Sequence, residues 1–229
     1  MTRTDDLLDA ALNHALFDGW SAATLEAARV DLGISAAAAQ MIFPRGAVDM
    51  ALAYHKRGDR MMVEVLKTED LSAMRFRDRI AYAVRLRLEL ADKELVRRGM
   101  ALFALPQHAA EGSRALWGTA DAVWTALGDT SRDVNWYTKR ATLSAVHSST
   151  VLYWLGDESE DNQATWEFLD RRIGNVMQFE KLKAQAKANP LVDRFMKGPG
   201  RALDIIRAPG GRRAGGGPGQ ARRNMRGQR

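Results

Sequence analysis

The chain has 229 residues, no cysteine and a formal net charge of +6, with four widely separated histidines. Without cysteine it can form no disulfide framework, thiolate zinc site or catalytic thiol, and its histidines lack metal-ligand spacing, so a metalloenzyme is not expected. Residues 197–229 hold nine basic residues and one acid, a net charge of +8, so the net charge of residues 1–196 is −2. The positive charge that would suggest a nucleic-acid partner is therefore confined to the tail.

Three short helices are predicted at the start of the chain. Apolar residues within 7–16 recur at helical spacing and predict an amphipathic helix that ends near Gly19. A second helix fits residues 24–32, and a third fits residues 36–42 after an N-cap at Ser35. Short helices joined by a tight turn indicate a helix-turn-helix unit.

Longer helices follow the first three. The apolar spacing predicts them at residues 47–67, 76–88, 95–105, 115–127 and 136–155, and a last one after an acidic loop at 156–161. Gly58 is expected to weaken the middle of the first of these helices, and Arg87 is expected on an outer face of the second. No segment alternates as a strand would, so the predicted fold class is all-α.

The helix-turn-helix unit resembles that of TetR-type regulators. Its recognition helix, however, presents four consecutive alanines, one Gln40 and no cation. Specific DNA readout needs side chains that reach base edges, and anchoring needs cations on phosphates. We therefore expect no nucleic-acid partner, and a ligand-responsive TetR-type transcription regulator is kept only as the alternative function.

Catalysis by this chain is not expected. The carboxylates of residues 157–161 are interpreted as a solvated loop that caps the next helix, and His147, in an apolar helix, is interpreted as a core histidine with satisfied hydrogen bonds. No nucleophile, base and orienting group assemble into a triad. The apolar helices can form either a filled core or a pocket for a hydrophobic ligand, and the sequence leaves both open.

Two segments favour contacts with other molecules. At residues 133–140, Trp136 and Tyr137 stand between polar and charged residues, which is typical of a binding hot spot but also fits a buried elbow. Residues 191–207 are amphipathic and basic, and fit either a membrane-contact helix or a helix that packs back on the body. Its apolar candidates for membrane contact are Leu191, Val192, Phe195, Met196, Leu203 and Ile206.

Five sequence blocks resemble the Coq-nine family of coenzyme Q biosynthesis accessory proteins, in a bacterial form. They are LLDAALNHALFDGW (7–20), MIFPRGAVDMALAYH (41–55), RGMALFALPQHA (98–109), LWGTADAVWTALGDTSRDVNWYTKRATLSAV (116–146) and LYWLGDES (152–159). The resemblance covers roughly residues 5–180. It implies a TetR-like helical bundle that has lost DNA binding, forms homodimers, lacks catalytic activity and cofactor, and holds an isoprenoid or quinone lipid in an apolar cavity.

The resemblance also implies partners and site residues. The demethoxyubiquinone hydroxylase is expected to dock at Asp133, Trp136, Tyr137, Lys139 and Arg140, and the C-terminal segment is expected to touch membrane lipid. The candidates for contact with the bound lipid are Leu102, Phe103, Trp124, Leu127, Leu143, His147 and Val151.

These expectations divide the chain into four segments. Residues 1–46 form the helix-turn-helix-like unit and residues 47–189 the lipid- and partner-binding domain. Residues 190–207 form the membrane-interaction segment and residues 208–229 a disordered tail rich in Gly and Arg. Because the acidic N-terminus resembles no targeting peptide, the expected location is cytoplasmic, peripheral to the inner face of the cytoplasmic membrane.

Overall fold

The computed structural model describes residues 3–187 and 208–209, and within them it contains only helices, turns and loops, which confirms the all-α fold class. The α-helices are α1 (Arg3–Asp18), α2 (Ala22–Asp31), α3 (Ala36–Ile42), α4 (Ala47–Thr68), α5 (Phe76–Glu89), α6 (Lys93–Phe103), α7 (Ala109–Ala126), α8 (Val134–Leu155) and α9 (Gln163–Lys187). Short 3-10 turns occupy Pro106–His108 and Glu160–Asn162.

The first three helices form the predicted helix-turn-helix-like unit. The Ser21 side chain caps α2 by accepting from the Thr24 backbone N–H. Ser35, the N-cap that the sequence predicted, caps α3 by accepting from the Ala38 backbone N–H. Gly33 supplies the positive φ of +62° that the tight turn between α2 and α3 requires. The unit shares a core with the start of α4 and with α6, built from Leu7, Leu8, Ala11, Ala15, Trp20, Leu25, Ala28, Ala39, Phe43, Met50, Ala51 and Leu95.

The remaining helices enclose a second, larger core. Helix α7 packs against α4 and α8, and α8 packs against α9. Residues from the second half of α4 through α9 fill this core, among them Met62, Leu66, Ile80, Val84, Leu88, Val123, Trp124, Leu143, Val151, Trp154, Trp166, Leu169 and Ile173. Because Met50 lies in the first core and Met62 in the second, α4 belongs to both.

Two sequence expectations about local structure need correction. Helix α7 begins at Ala109, six residues earlier than predicted, and its first turns include Gly112 and Ser113. Arg87 does not lie on an outer face of α5; only 4% of it is exposed, since Asp59 of α4 supplies the buried countercharge that lets an arginine enter the interior.

No helix among the described residues combines the length and the apolar character that crossing a membrane requires. The six residues predicted to contact membrane, from Leu191 to Ile206, lie outside the described part of the chain, so the membrane contact remains a prediction. In the described residues that follow in sequence, the backbone N–H of Ala208 donates to the carbonyl of Arg132, 3.1 Å away, in the loop that precedes α8.

Candidate functional site

A cavity of about 320 Å³ lies inside the helical body, between α4, α5, α6, α7 and α8. At the volume that water occupies in the liquid, this space corresponds to about ten water molecules, which is near the lower end for small-molecule sites. Its apolar wall includes Leu88, Val96, Met100, Phe103, Leu116 and Val151. Exposed Ala104 and Ala109 border it where α6 ends and α7 begins, so its mouth lies there.

The structure separates the predicted lipid-contact residues into two groups. Phe103, His147 and Val151 line the cavity. The other four do not line it, because their side chains pack elsewhere: Leu102 against the N-terminal core, and Trp124, Leu127 and Leu143 in the core of the body.

Sequence reasoning missed most of the cavity wall. Val96, Met100 and Phe103 recur at i, i+4 and i+7 along α6, so helical spacing does mark their common face. Nothing in the sequence marks that face as turned toward a cavity instead of a packed neighbour.

One end of the cavity is polar, and Arg87 of α5 is its centre. The Arg87 Nε donates to Asp59 Oδ1 at 2.7 Å, and its Nη2 donates to the His55 carbonyl at 2.9 Å. The guanidinium lies directly on the backbone of α4 at Gly58, where an added Cβ would come within 2.5 Å of Arg87 Cζ. Because Gly58 has no side chain, it leaves room for the arginine against the backbone of α4.

His55 is tied into the same network. Its Nε2 lies 2.8 Å from Thr119 Oγ1 and 3.2 Å from the Ala115 carbonyl, which can only accept, so Nε2 carries the proton. Thr119 in turn donates to Asp59 at 3.0 Å. Burial lowers the pKa of His55, and the attraction of Asp59 only partly offsets this, so the ring is neutral at pH 7.

His147 of α8 also lines the cavity but is not satisfied as the sequence led us to expect. It is 3% exposed, and among the described residues its Nδ1 has no hydrogen-bond partner. Burial, followed by repulsion from Arg87 and His55, lowers its pKa to about 3. The neutral ring thus brings an unused hydrogen-bonding atom to a buried site, where such atoms are costly.

An aromatic cluster, formed by Trp117 of α7 and by Trp136 and Tyr137 of α8, lies half-buried at the surface. The rings of Trp136 and Tyr137 meet edge to face at 4.8 Å, and Trp117 lies 5.8 Å from Trp136 and 6.4 Å from Tyr137 between ring centroids. The sequence motif at residues 133–140 identified two of these rings. It did not identify Trp117, which is twenty residues away and joins them only through helix packing.

Among the charged residues of the motif, Arg140 lies directly against this cluster. Arg140 is 2% exposed and lies 4.1 Å from the centroid of Trp136, with hydrogen bonds to Asp121 at 2.5 Å and Asp129 at 3.0 Å. Lys139 donates to Asp129 at 2.7 Å. Although burial opposes ionisation of Asp129, hydrogen bonds from Lys139, Ser131 and Arg140 hold its pKa well below its usual value.

Asp133 differs from its two charged neighbours in the motif because it is exposed. Its carboxylate caps α8 through the Asn135 backbone N–H at 3.0 Å. The structure therefore buries Arg140 behind Trp136, places Lys139 over the ring of Trp124, and leaves Asp133 exposed near the half-buried Trp136 and Tyr137.

Comparison with known proteins gives one family and one fold. Residues 109–180 match the COQ9 family model, which corresponds to the Coq-nine resemblance of the sequence blocks. The chain is 30% identical over 191 residues to "Ubiquinone biosynthesis protein COQ9, mitochondrial" from Rattus norvegicus, covering 80% of this chain and 61% of the relative. The Homo sapiens protein of that name is also 30% identical over 191 residues, with 80% and 60% covered. COQ9-A from Xenopus laevis is 32% identical over 182 residues, with 75% and 56% covered.

A TetR transcriptional regulator from Nitrosomonas europaea shares the fold. Its crystal structure superposes with a TM-score of 0.62 at 20% identity, covering 75% of this chain and 95% of the regulator. The likeness confirms the TetR-like bundle and, at this identity, concerns the fold alone. The chain spans about three-fifths of the length of the curated relatives it matches.

Proposed function

We propose a function from the premise that residues 109–180 carry a COQ9 domain and that the chain is similar, over about three-quarters or more of its length, to curated ubiquinone biosynthesis proteins. The chain acts in ubiquinone biosynthesis. Its role is that of a non-catalytic accessory protein, which binds an isoprenoid quinone intermediate and presents it to the demethoxyubiquinone hydroxylase at the membrane.

The observation that carries this proposal is that α7 and α8, two helices within the matched residues, border the cavity and also carry the aromatic cluster. One pair of helices thus joins a site for an apolar ligand to a surface suited to a protein partner. Half-buried Trp and Tyr with a desolvated arginine behind them match the composition of interface hot spots.

The energetics favour a carrier that works on a membrane. Burying apolar surface stabilises a complex by about 25 cal/mol per Å², but a bilayer interior is as apolar as this cavity, so extraction of a lipid gains little. The cavity of about 320 Å³ suits a ring and the first part of its tail instead of a whole long-chain lipid. We therefore propose a peripheral homodimer at the inner face of the cytoplasmic membrane, held there by the segment at residues 190–207.

Lipid extraction tests the carrier function. Purified protein extracted with organic solvent and examined by mass spectrometry should yield a prenylated quinone or phenol. Ala104→Trp at the mouth should reduce its amount, whereas Ala101→Trp, exposed near the end of α6 but outside the cavity wall, should not. Protein that carries no prenylated molecule would exclude the carrier function.

A pull-down tests the docking surface. Trp136→Lys should abolish capture of the hydroxylase while leaving the far-ultraviolet circular dichroism unchanged. Phe17→Lys is the matched control, because Phe17 is an aromatic residue that is 81% exposed on α1. A folded Trp136→Lys protein that captures the hydroxylase normally would overturn the assignment of this surface.

The alternative, a ligand-responsive transcription regulator, shares only the fold. Residues 1–46 hold three arginines and six carboxylates, a net charge of −3. Arg29 and Arg45, which flank α3 in the sequence, pair with Glu26 and with Asp49 and Glu111, and the Gln40 amide donates to the Pro44 carbonyl. Specific retention of an operator fragment at physiological salt would favour this alternative; we expect none.

A further inference from the structure

The polar end of the cavity calls for an explanation that lipid storage alone does not give. Three helices bring a large polar side chain to a wall that is otherwise mostly apolar: His55 from α4, Arg87 from α5 and His147 from α8. The hydroxyls of Ser113 and Ser148 also line the cavity. A cavity that only held hydrocarbon would be more stable with apolar residues at these places, since a buried polar group without a partner is unfavourable. The arrangement therefore indicates a ligand with a polar end.

His147 supplies the unused group. Arg87 and His55 already have protein partners, Asp59, Thr119 and the Ala115 carbonyl among them. His147 lines the cavity, and neither nitrogen of its ring has a hydrogen-bond partner among the described residues. Its Nδ1 is closed off from the cavity space, so Nε2 is the nitrogen that a ligand can reach. A neutral imidazole nitrogen donates to a carbonyl oxygen in one tautomer and accepts from a hydroxyl in the other.

The charge of this end selects among polar ligands. The Arg87 guanidinium is neutralised by Asp59 at 2.7 Å, and both histidines are neutral at pH 7 because burial lowers their pKa. A carboxylate or phosphate brought here would lose its hydration and meet no unneutralised cation. An uncharged ring that bears oxygen does not need one.

We propose that His147, backed by Arg87 and His55, recognises the uncharged, oxygen-bearing ring at the head of an isoprenoid lipid and discriminates against acidic lipids. The proposal rests on the carrier function above, because it needs the cavity to hold a lipid. It adds a direction: the ring lies at the polar end beside α4, α5 and α8, and the tail runs along Val96, Met100 and Phe103 toward the mouth.

Three probes with one tail length test the proposal on the full chain. They are a decyl-substituted benzoquinone, decylbenzene and decanoate, each measured by displacement of the uncharged fluorophore Nile red. The wild-type protein should bind the quinone roughly five- to tenfold more tightly than decylbenzene, which corresponds to one net hydrogen bond, and should bind decanoate more weakly than the quinone.

Two substitutions separate recognition from packing. His147→Phe should lower quinone affinity by roughly five- to tenfold and leave decylbenzene affinity unchanged, because it removes the hydrogen bond and keeps an aromatic ring. His147→Gln, which keeps a polar amide near the Nε2 position, should restore most of the preference for the quinone. Thermal unfolding of each variant verifies that it is folded.

The possible failures are distinguishable. If His147→Phe weakens the quinone and decylbenzene equally, or if decanoate binds wild type as tightly as the quinone does, the recognition role is wrong while the carrier function stands. If none of the three probes displaces Nile red from wild type, the carrier function fails and the recognition role fails with it.

Discussion

Gly58→Ala provides a sharp test of how the polar end of the cavity is built. Gly58 lies in the middle of α4, where replacing glycine by alanine ordinarily stabilises a helix by about 1 kcal/mol. Here the new Cβ would lie 2.5 to 2.8 Å from Cζ, Nη1 and Nη2 of Arg87. The buried guanidinium must then shift away from α4, and full separation from Asp59 would cost about 3–5 kcal/mol. The net expectation is a loss of stability of up to about 2–4 kcal/mol.

Thermal unfolding followed by circular dichroism measures this loss. For a protein of this size 1 kcal/mol corresponds to roughly 2–4 °C, so Gly58→Ala should lower Tm by roughly 5–15 °C at equal protein concentration. Gly118→Ala in α7 is the matched control, because nothing lies within 4 Å of its added Cβ and Tm should rise by a few degrees. In an Arg87→Met background the penalty at Gly58 should disappear. A Gly58→Ala protein that is stabilised like Gly118→Ala would refute this reasoning.

Three further predictions concern stability. The pKa of His147 is about 3 in the folded chain and about 6.5 when unfolded, so the stability contributed by its neutral form is present above pH 6.5 and falls by about 2 kcal/mol between pH 8 and pH 5. The urea midpoint of His147→Phe should therefore depend less on pH over this range than that of wild type. An equally steep dependence in the variant would contradict the prediction. Asp129→Asn should lower the free energy of unfolding, measured with urea, by about 3 kcal/mol, because the buried Arg140 loses the charge of one of its partners. Phe43→Ala, in the N-terminal core, should cost about 3–5 kcal/mol, whereas Met41→Ala, 83% exposed, should change stability by less than about 0.5 kcal/mol.

The sequence was sufficient for the fold and for local caps. Periodicity located every described α-helix, and the limits of α3 were predicted to the residue because Ser35 and the Phe43-Pro44 turn define its ends. The start of α7 was predicted six residues too late, and the structure places Gly112 within this helix, against Phe103.

The cavity was much harder to predict. Spacing shows which face of a helix turns inward, but not which inward faces meet or whether they leave space between them. Arg87 was expected outside because arginine on an amphipathic helix usually faces solvent, and only the pairing with Asp59 and the opening at Gly58, both in another helix, reverse that. His147 was expected in the core and is there, but its unsatisfied Nδ1 is a property of its neighbours.

The continuity of α4 has a consequence for how the molecule unfolds. Its first turns are buried in the N-terminal core and its last turns in the core of the body, so neither core can melt without exposing apolar surface on a helix that the other requires. Trp20 strengthens the link, because its Nε1 donates to the Leu95 carbonyl of α6, and α6 also forms one wall of the cavity. The helix-turn-helix-like unit and the cavity therefore form one cooperative folding unit, and occupancy of the cavity should raise protection from hydrogen exchange as far away as α1.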